Sequence, residues 1–132
     1  MSSRGSGSQA RARAATIVVL GLRIAYGAGL IAAPARVAKR WVGAPAQAGP
    51  TQVPLRGIGG REIGLHAGAL YAARRGGALR PWLAASIVGD LTDVVATLAR
   101  RADLPDGAAR ATVLVGGGSA VISAALLGAL EH

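Results

Sequence analysis

Residues 111–130 form a stretch of 20 residues without one charged side chain, and it is the cleanest of four long apolar runs in the chain. At 1.5 Å per residue, about 20 residues suffice to cross a hydrocarbon core some 30 Å thick. A helix in water needs a polar face opposite its apolar stripe. This run offers only Thr112, Ser119 and Ser123, and the first run, residues 14–33, offers only Thr16, Arg23 and Tyr26. The composition agrees: 16% charged residues is well below the roughly 25% of soluble domains. Phe is absent, so Ala, Gly, Leu and Val must do nearly all the packing. A chain this apolar is not disordered.

Two further runs, residues 53–73 and 81–99, each open at or near a proline, where helices tend to start. Short loops separate runs two, three and four, which makes them antiparallel neighbours. The expected fold is all-α: an antiparallel transmembrane bundle of four helices. Residues 1–13 read as a flexible basic tail and residues 14–132 as one transmembrane domain. Runs two and three carry internal charges, each costing about 2.5–3.5 kcal/mol at a helix centre on insertion scales. Two spans with a peripheral middle are therefore the fallback. The long connection, residues 34–52, alternates Arg36, Lys39 and Arg40 with Val37, Trp41 and Val42. It reads either as a short amphipathic turn in the interface or as a polar loop.

Fifteen Lys and Arg against six Asp and Glu leave a net charge of +9. The cations flank the apolar runs, as interfacial anchors do, and form no basic face interleaved with aromatics. Nucleic acid is thus excluded as a partner. The expected partners are the lipid bilayer and, through a glycine stripe, a second copy in a homo-oligomer. The expected location is the plasma membrane, crossed several times. Six basic residues fall on each side, so the positive-inside rule assigns no orientation. With no Cys and two His, one of them the terminal His132, no metal site and no cofactor is expected.

The charges inside the runs are the chemical signal. Arg23, Arg56, Arg61, Glu62, Asp90 and Asp93 balance three against three. Such groups are rare in membranes, face the bundle interior and pair with one another. Counted from the membrane side where run one ends, Arg23 lies level with Asp90 and Arg61 roughly level with Asp93. Glu62 lies one step deeper, and Arg56 lies near the interface, where it can snorkel. Ser86, Asp90, Asp93 and Thr97 are spaced to share one helical face. Glu62 and His66 share another, and Gly60, Gly64 and Gly68 form a close-packing stripe. Arg23, Arg61, Glu62, Asp90 and Asp93 form the expected polar centre, with Arg56, His66, Ser86 and Thr97 as secondary members.

Three roles fit this set. In the first, ion pairs fix helix packing and the protein has no catalytic residue. In the second, the carboxylates and His66 carry proton- or ion-coupled transport or bind a small solute; no internal repeat of the transporter kind is visible. In the third, Asp90 and Asp93 hold Mg²⁺ for a membrane enzyme. Their spacing is similar to the Asp-x-x-Asp motif of CDP-alcohol phosphotransferases, but Val94 replaces the following Gly and no second Asp pair exists.

Three segments carry a broader resemblance: RIAYGAGLIAAP at 23–34, LRGIGGREIGLHAG at 55–68 and RPWLAASIVGDLTD at 80–93. They resemble small four-helix membrane proteins of unknown function from GC-rich actinobacteria. In that pattern the second helix reads R-x-x-G-x-R-[DE] and the third carries D-x-x-D. Arg56, Gly59, Arg61 and Glu62 match the first motif, and Asp90 and Asp93 the second. The resemblance implies a four-helix membrane fold and no activity.

Overall fold

The computed structural model describes the backbone of residues 3–130 and the side chains of residues 6–129. All regular structure among them is helical. Helix α1 runs Ser3–Ala32, α2 Pro34–Val42, α3 Gly49–Arg74 and α4 Arg80–Ala99. Helix α5, Ala108–Thr112, leads through a π turn, Val113–Gly117, into α6, Gly118–Leu130. Prolines open α2, α3 and α4 from their first two positions. There the missing N–H costs nothing, because those donors have no partner within the helix. Two expectations change. The flexible tail is helical from Ser3 onward, since its Ala, Arg and Gln are good helix formers joined to a long apolar helix. The second run starts earlier, at Gly49, with Pro50 near its first position and Pro54 inside the helix. The connection at 34–42 is the amphipathic helix rather than a loop.

One spacing organises the packing. Along α1 and into α2, the inward residues are Thr16, Leu20, Arg23, Gly27, Leu30 and Pro34. Along α3 they are Leu55, Gly59, Glu62, His66, Ala69 and Ala73. Leading into and along α4 they are Leu79, Leu83, Ser86, Asp90, Asp93 and Thr97. Each series steps by 4, 3, 4, 3 and 4, the seam of helices packed nearly side by side. Helices α1 and α3 run antiparallel. Leu20 packs with Ala69 and Ala73, Arg23 bonds Glu62, and Leu30 packs with Leu55. Helix α4 lies against α3 and the α5–α6 rod, and α1 closes against α6.

The seam is layered. One apolar cluster, around Leu20, Leu79, Leu83 and Leu126, fills one end. A second, around Leu30, Ala38, Ala46 and Leu55, fills the other. Between them the interior is polar: Glu62 is 2% exposed and Asp90 4%. The outside is the reverse, with Leu22 at 67% and Val115 at 73% exposed. In water such a distribution would leave large apolar surfaces uncovered; a bilayer covers them. Three helical stretches are long and apolar enough to cross a membrane: Ser6–Ala32, Arg80–Ala99 and Ala108–Ala129.

The π turn adjusts this seam. An i→i+5 turn holds one residue more than an α turn, so it advances the inward face of the rod. Gly116, Ala120 and Ser123 turn inward, while Val115 and Ile122 face out. The run Gly116–Gly118 supplies the backbone freedom for it. A Cβ placed on Gly116 would lie 3.4 Å from the Asp90 carbonyl oxygen, so the rod closely approaches α4 there.

The glycine stripe is corrected. A Cβ placed on Gly60 or Gly64 would have no atom of another helix within 4 Å, and of the three only Gly68 packs, under Trp82. The reason is rotation: the buried seam of α3 passes through Gly59, one residue from Gly60. The close crossing is Gly27 against Gly59, where an added Cβ would stand 2.7 and 2.6 Å from the facing carbonyl oxygens. Backbone cannot yield as a side chain can. Gly59→Ala should therefore lower stability in detergent by about 1–3 kcal/mol, the usual cost of overpacking. Gly64→Ala should leave it unchanged or raise it, since Ala outranks Gly by about 1 kcal/mol in helices. Thermal unfolding of the two variants checks the assignment.

Candidate functional site

The site forms where α1 and α3 cross most closely. Gly27 and Gly59 let the two backbones touch, and Arg23 and Glu62 lie one helical turn away on the facing seams. The short glutamate side chain thus reaches the guanidinium: Arg23 Nε donates to Glu62 Oε2 at 2.8 Å. From the other side α4 presents Asp90 in bidentate geometry, with Arg23 Nη1 donating to Oδ2 at 2.9 Å and Nη2 to Oδ1 at 2.7 Å. Helix α6 adds the Ser119 hydroxyl, which accepts from Nη1. One side chain of α1 therefore ties together α3, α4 and α6. A planar guanidinium suits this role because its donors lie in a fixed fork that matches carboxylates.

A second arginine flanks the first. Arg61 Nη2 lies 3.3 Å from Glu62 Oε1 and 3.3 Å from Asp93 Oδ2, joining α3 to α4. This pair is more open: side-chain exposure is 39% for Arg61 and 30% for Asp93, against 3% for Glu62. On the buried side, His66 Nδ1 donates to the Glu62 carbonyl oxygen at 2.7 Å and lies 3.5 Å from Glu62 Oε2. A carbonyl oxygen only accepts, so Nδ1 carries the proton. His66 Nε2 meets the Ser86 hydroxyl at 3.1 Å. Glu62 is the junction of the whole set.

The depth matching expected from sequence places Arg23 with Asp90 and Arg61 with Asp93, and both pairs meet. His66 and Ser86 join the centre through Glu62. Two expected secondary members lie elsewhere. Arg56 is exposed and donates to the Ile31 carbonyl oxygen at 3.2 Å and to Gln52 Oε1 at 3.1 Å. Thr97 accepts from Trp41 Nε1 at 3.0 Å, pinning α2 to the end of α4. Two contacts were not anticipated. Glu62 binds Arg23 as well as Arg61, because helix rotation is set by the Gly27–Gly59 crossing. Ser119 enters as well; its signal was a hydroxyl in an uncharged run at a depth close to Arg23.

Without Arg56 the centre holds two guanidiniums against three carboxylates. Among the described residues, no buried side-chain nitrogen or oxygen lacks a hydrogen-bond partner. Two surface clefts, one lined in part by Arg13, Arg80 and Leu127 and the other by Trp41, Thr97 and Leu104, do not reach Arg23, Glu62 or Asp90. Both Asp90 oxygens face Arg23, a poor arrangement for Asp90 and Asp93 to share a divalent cation.

Comparison with protein-family models, with curated proteins and with solved structures finds no match for this chain.

The fork geometry gives a direct expectation. Arg23→Lys keeps the charge but cannot serve Glu62 and Asp90 together in the plane that Arg fills. Hydrogen bonds to charged groups are worth about 1.5–3 kcal/mol each, so the variant should lose at least one such bond in detergent unfolding. Wild-type stability in Arg23→Lys would show that charge alone matters.

Proposed function

We propose that this chain is a multi-pass integral membrane protein with four antiparallel spans, residing in the plasma membrane, whose Arg23–Glu62–Asp90 network fixes how the helices pack. The observation that carries the reading is the saturation of the network: every buried polar side-chain atom among the described residues is bonded. The fork of Arg23 is spent on protein groups from three helices. Such a centre resembles a clamp more than a binding pocket. Helix α3 falls outside the three apolar candidates, and its inclusion as a fourth span rests on its partner. It runs antiparallel beside α1 with its 26 residues, about 39 Å of helix. Its buried ionisable groups, Glu62 and His66, face inward. A homo-oligomer through the outward Gly60 and Gly64 face belongs to the same proposal, as does the kinship with the small actinobacterial membrane proteins.

A second reading, proton- or ion-coupled transport, draws on the excess carboxylate and on the partly exposed Asp93 beside Arg61. Fluorescent pH reporting in proteoliposomes separates the two readings. The clamp predicts no proton flux above that of empty vesicles, and flux abolished by Asp93→Asn would support transport.

For the membrane assignment, the protein should stay in the pellet after alkaline carbonate extraction. Cysteines introduced singly into this Cys-free chain at Arg75 and Arg101 should be labelled from opposite sides of sealed vesicles. The loop before α3, tested at Gln47, should label from the Arg101 side. Labelling of Gln47 from the Arg75 side, or recovery of soluble protein without detergent, would contradict four spans.

A further inference from the structure

Helix α2 lies at one end of the bundle, fastened to α4 by the bond between Trp41 and Thr97. Its exposed face is basic, with Arg36, Lys39 and Arg40, and its buried residues are Pro34 and Ala38. Where α2 meets the end of α4 there is an apolar surface cleft of about 130 Å³, lined by Trp41, Val42, Ala96, Thr97, Arg100 and Leu104. Arg100 is the cation in its lining, and further cations adjoin the lining residues in sequence: Lys39 and Arg40 directly precede Trp41, and Arg101 directly follows Arg100. Arg100 Nε donates to Asp103 Oδ2 at 3.1 Å in an exposed pair; its two terminal nitrogens have no partner among the described residues. Asp103 and Asp106 are the acidic residues at this end, against Arg36, Lys39, Arg40, Arg100, Arg101 and Arg110.

We propose that this cleft is a site for an anionic phospholipid, with the headgroup phosphate on Arg40, Arg100 and Arg101 and the upper acyl chain against Trp41, Val42 and Leu104. The chemistry favours a lipid over a free anion. The wall is apolar and suits methylenes rather than water, while the charge is gathered on the two chain segments that form its rim. A Trp ring at this level is at home between acyl chain and headgroup. Basic pockets beside transmembrane helices are known to take acidic headgroups. The inference rests on the membrane reading proposed above.

The test is lipid retention by native mass spectrometry of the purified full chain in mild detergent. Phosphatidylglycerol and phosphatidylcholine of identical acyl chains are offered in turn. The membrane reading is checked on the same preparations by carbonate extraction. Phosphatidylglycerol should be retained in preference to phosphatidylcholine. Each cation near an anionic lipid surface is worth about a fivefold change in binding, so Arg40→Gln with Arg100→Gln should weaken retention roughly 25-fold. Trp41→Phe, which keeps an apolar ring but loses the bond to Thr97, should weaken it less. Arg74→Gln with Arg75→Gln, at the opposite end, should leave it unchanged. Equal retention of the two lipids, or equal losses from the two double variants, would overturn the site while leaving carbonate resistance intact. A chain that carbonate extracts would instead sink the membrane reading itself.

Discussion

The guanidinium of Arg23 is the point on which the bundle converges. It lies between the carboxylates of Glu62 and Asp90 and touches a hydroxyl of Ser119, so one side chain of α1 bonds to three other helices. In a bilayer this constraint is strong. Apolar side chains gain little by facing one another rather than lipid, and association depends on close packing and polar contacts. Separating Arg23 from its partners would leave an unpaired charge in a low-dielectric interior, with no water to replace the lost bonds.

The rest of the structure serves that contact. The spacing of 4 and 3 keeps the inward seam of each helix straight. The glycines at 27 and 59 bring α1 and α3 close enough for a short carboxylate to bridge them. The apolar clusters at both ends exclude solvent from the middle. The π turn brings the face of α6 that carries Ser119 against α1 and α4. The outer faces carry exposed large apolar side chains, so the middle of the bundle is polar within and oily without.

Much of this was legible in sequence because it depends on depth, and depth is a count of residues. Arg23 met Asp90, and Arg61 met Asp93, as counting from the run ends implied. Rotation is less legible. Sequence spacing puts the stripe through Gly60 and Gly64, whereas the close crossing lies at Gly59, and a shift of one residue turns a helix face by about 100°. The same limit concealed the bond between Arg23 and Glu62. The π turn was foreshadowed by three consecutive glycines, but its effect on phase depends on α4 lying alongside. The helical start at Ser3 was missed because Ser and Gly suggested a tail where Ala, Gln and Arg continue the helix.

The claim that the network is a structural clamp is tested most directly by a double-mutant cycle between Arg23 and Asp90, measured as unfolding free energy in detergent. Arg23→Leu and Asp90→Leu should each cost about 3–5 kcal/mol, as breaking a buried pair does. The double variant should recover much of that loss, because Glu62 retains Arg61 and two apolar groups replace the broken pair. A structural pair should show a coupling energy of about 1–3 kcal/mol. Strictly additive losses, with a coupling near zero, would show that the two residues do not hold each other and that the bundle is fixed by something else.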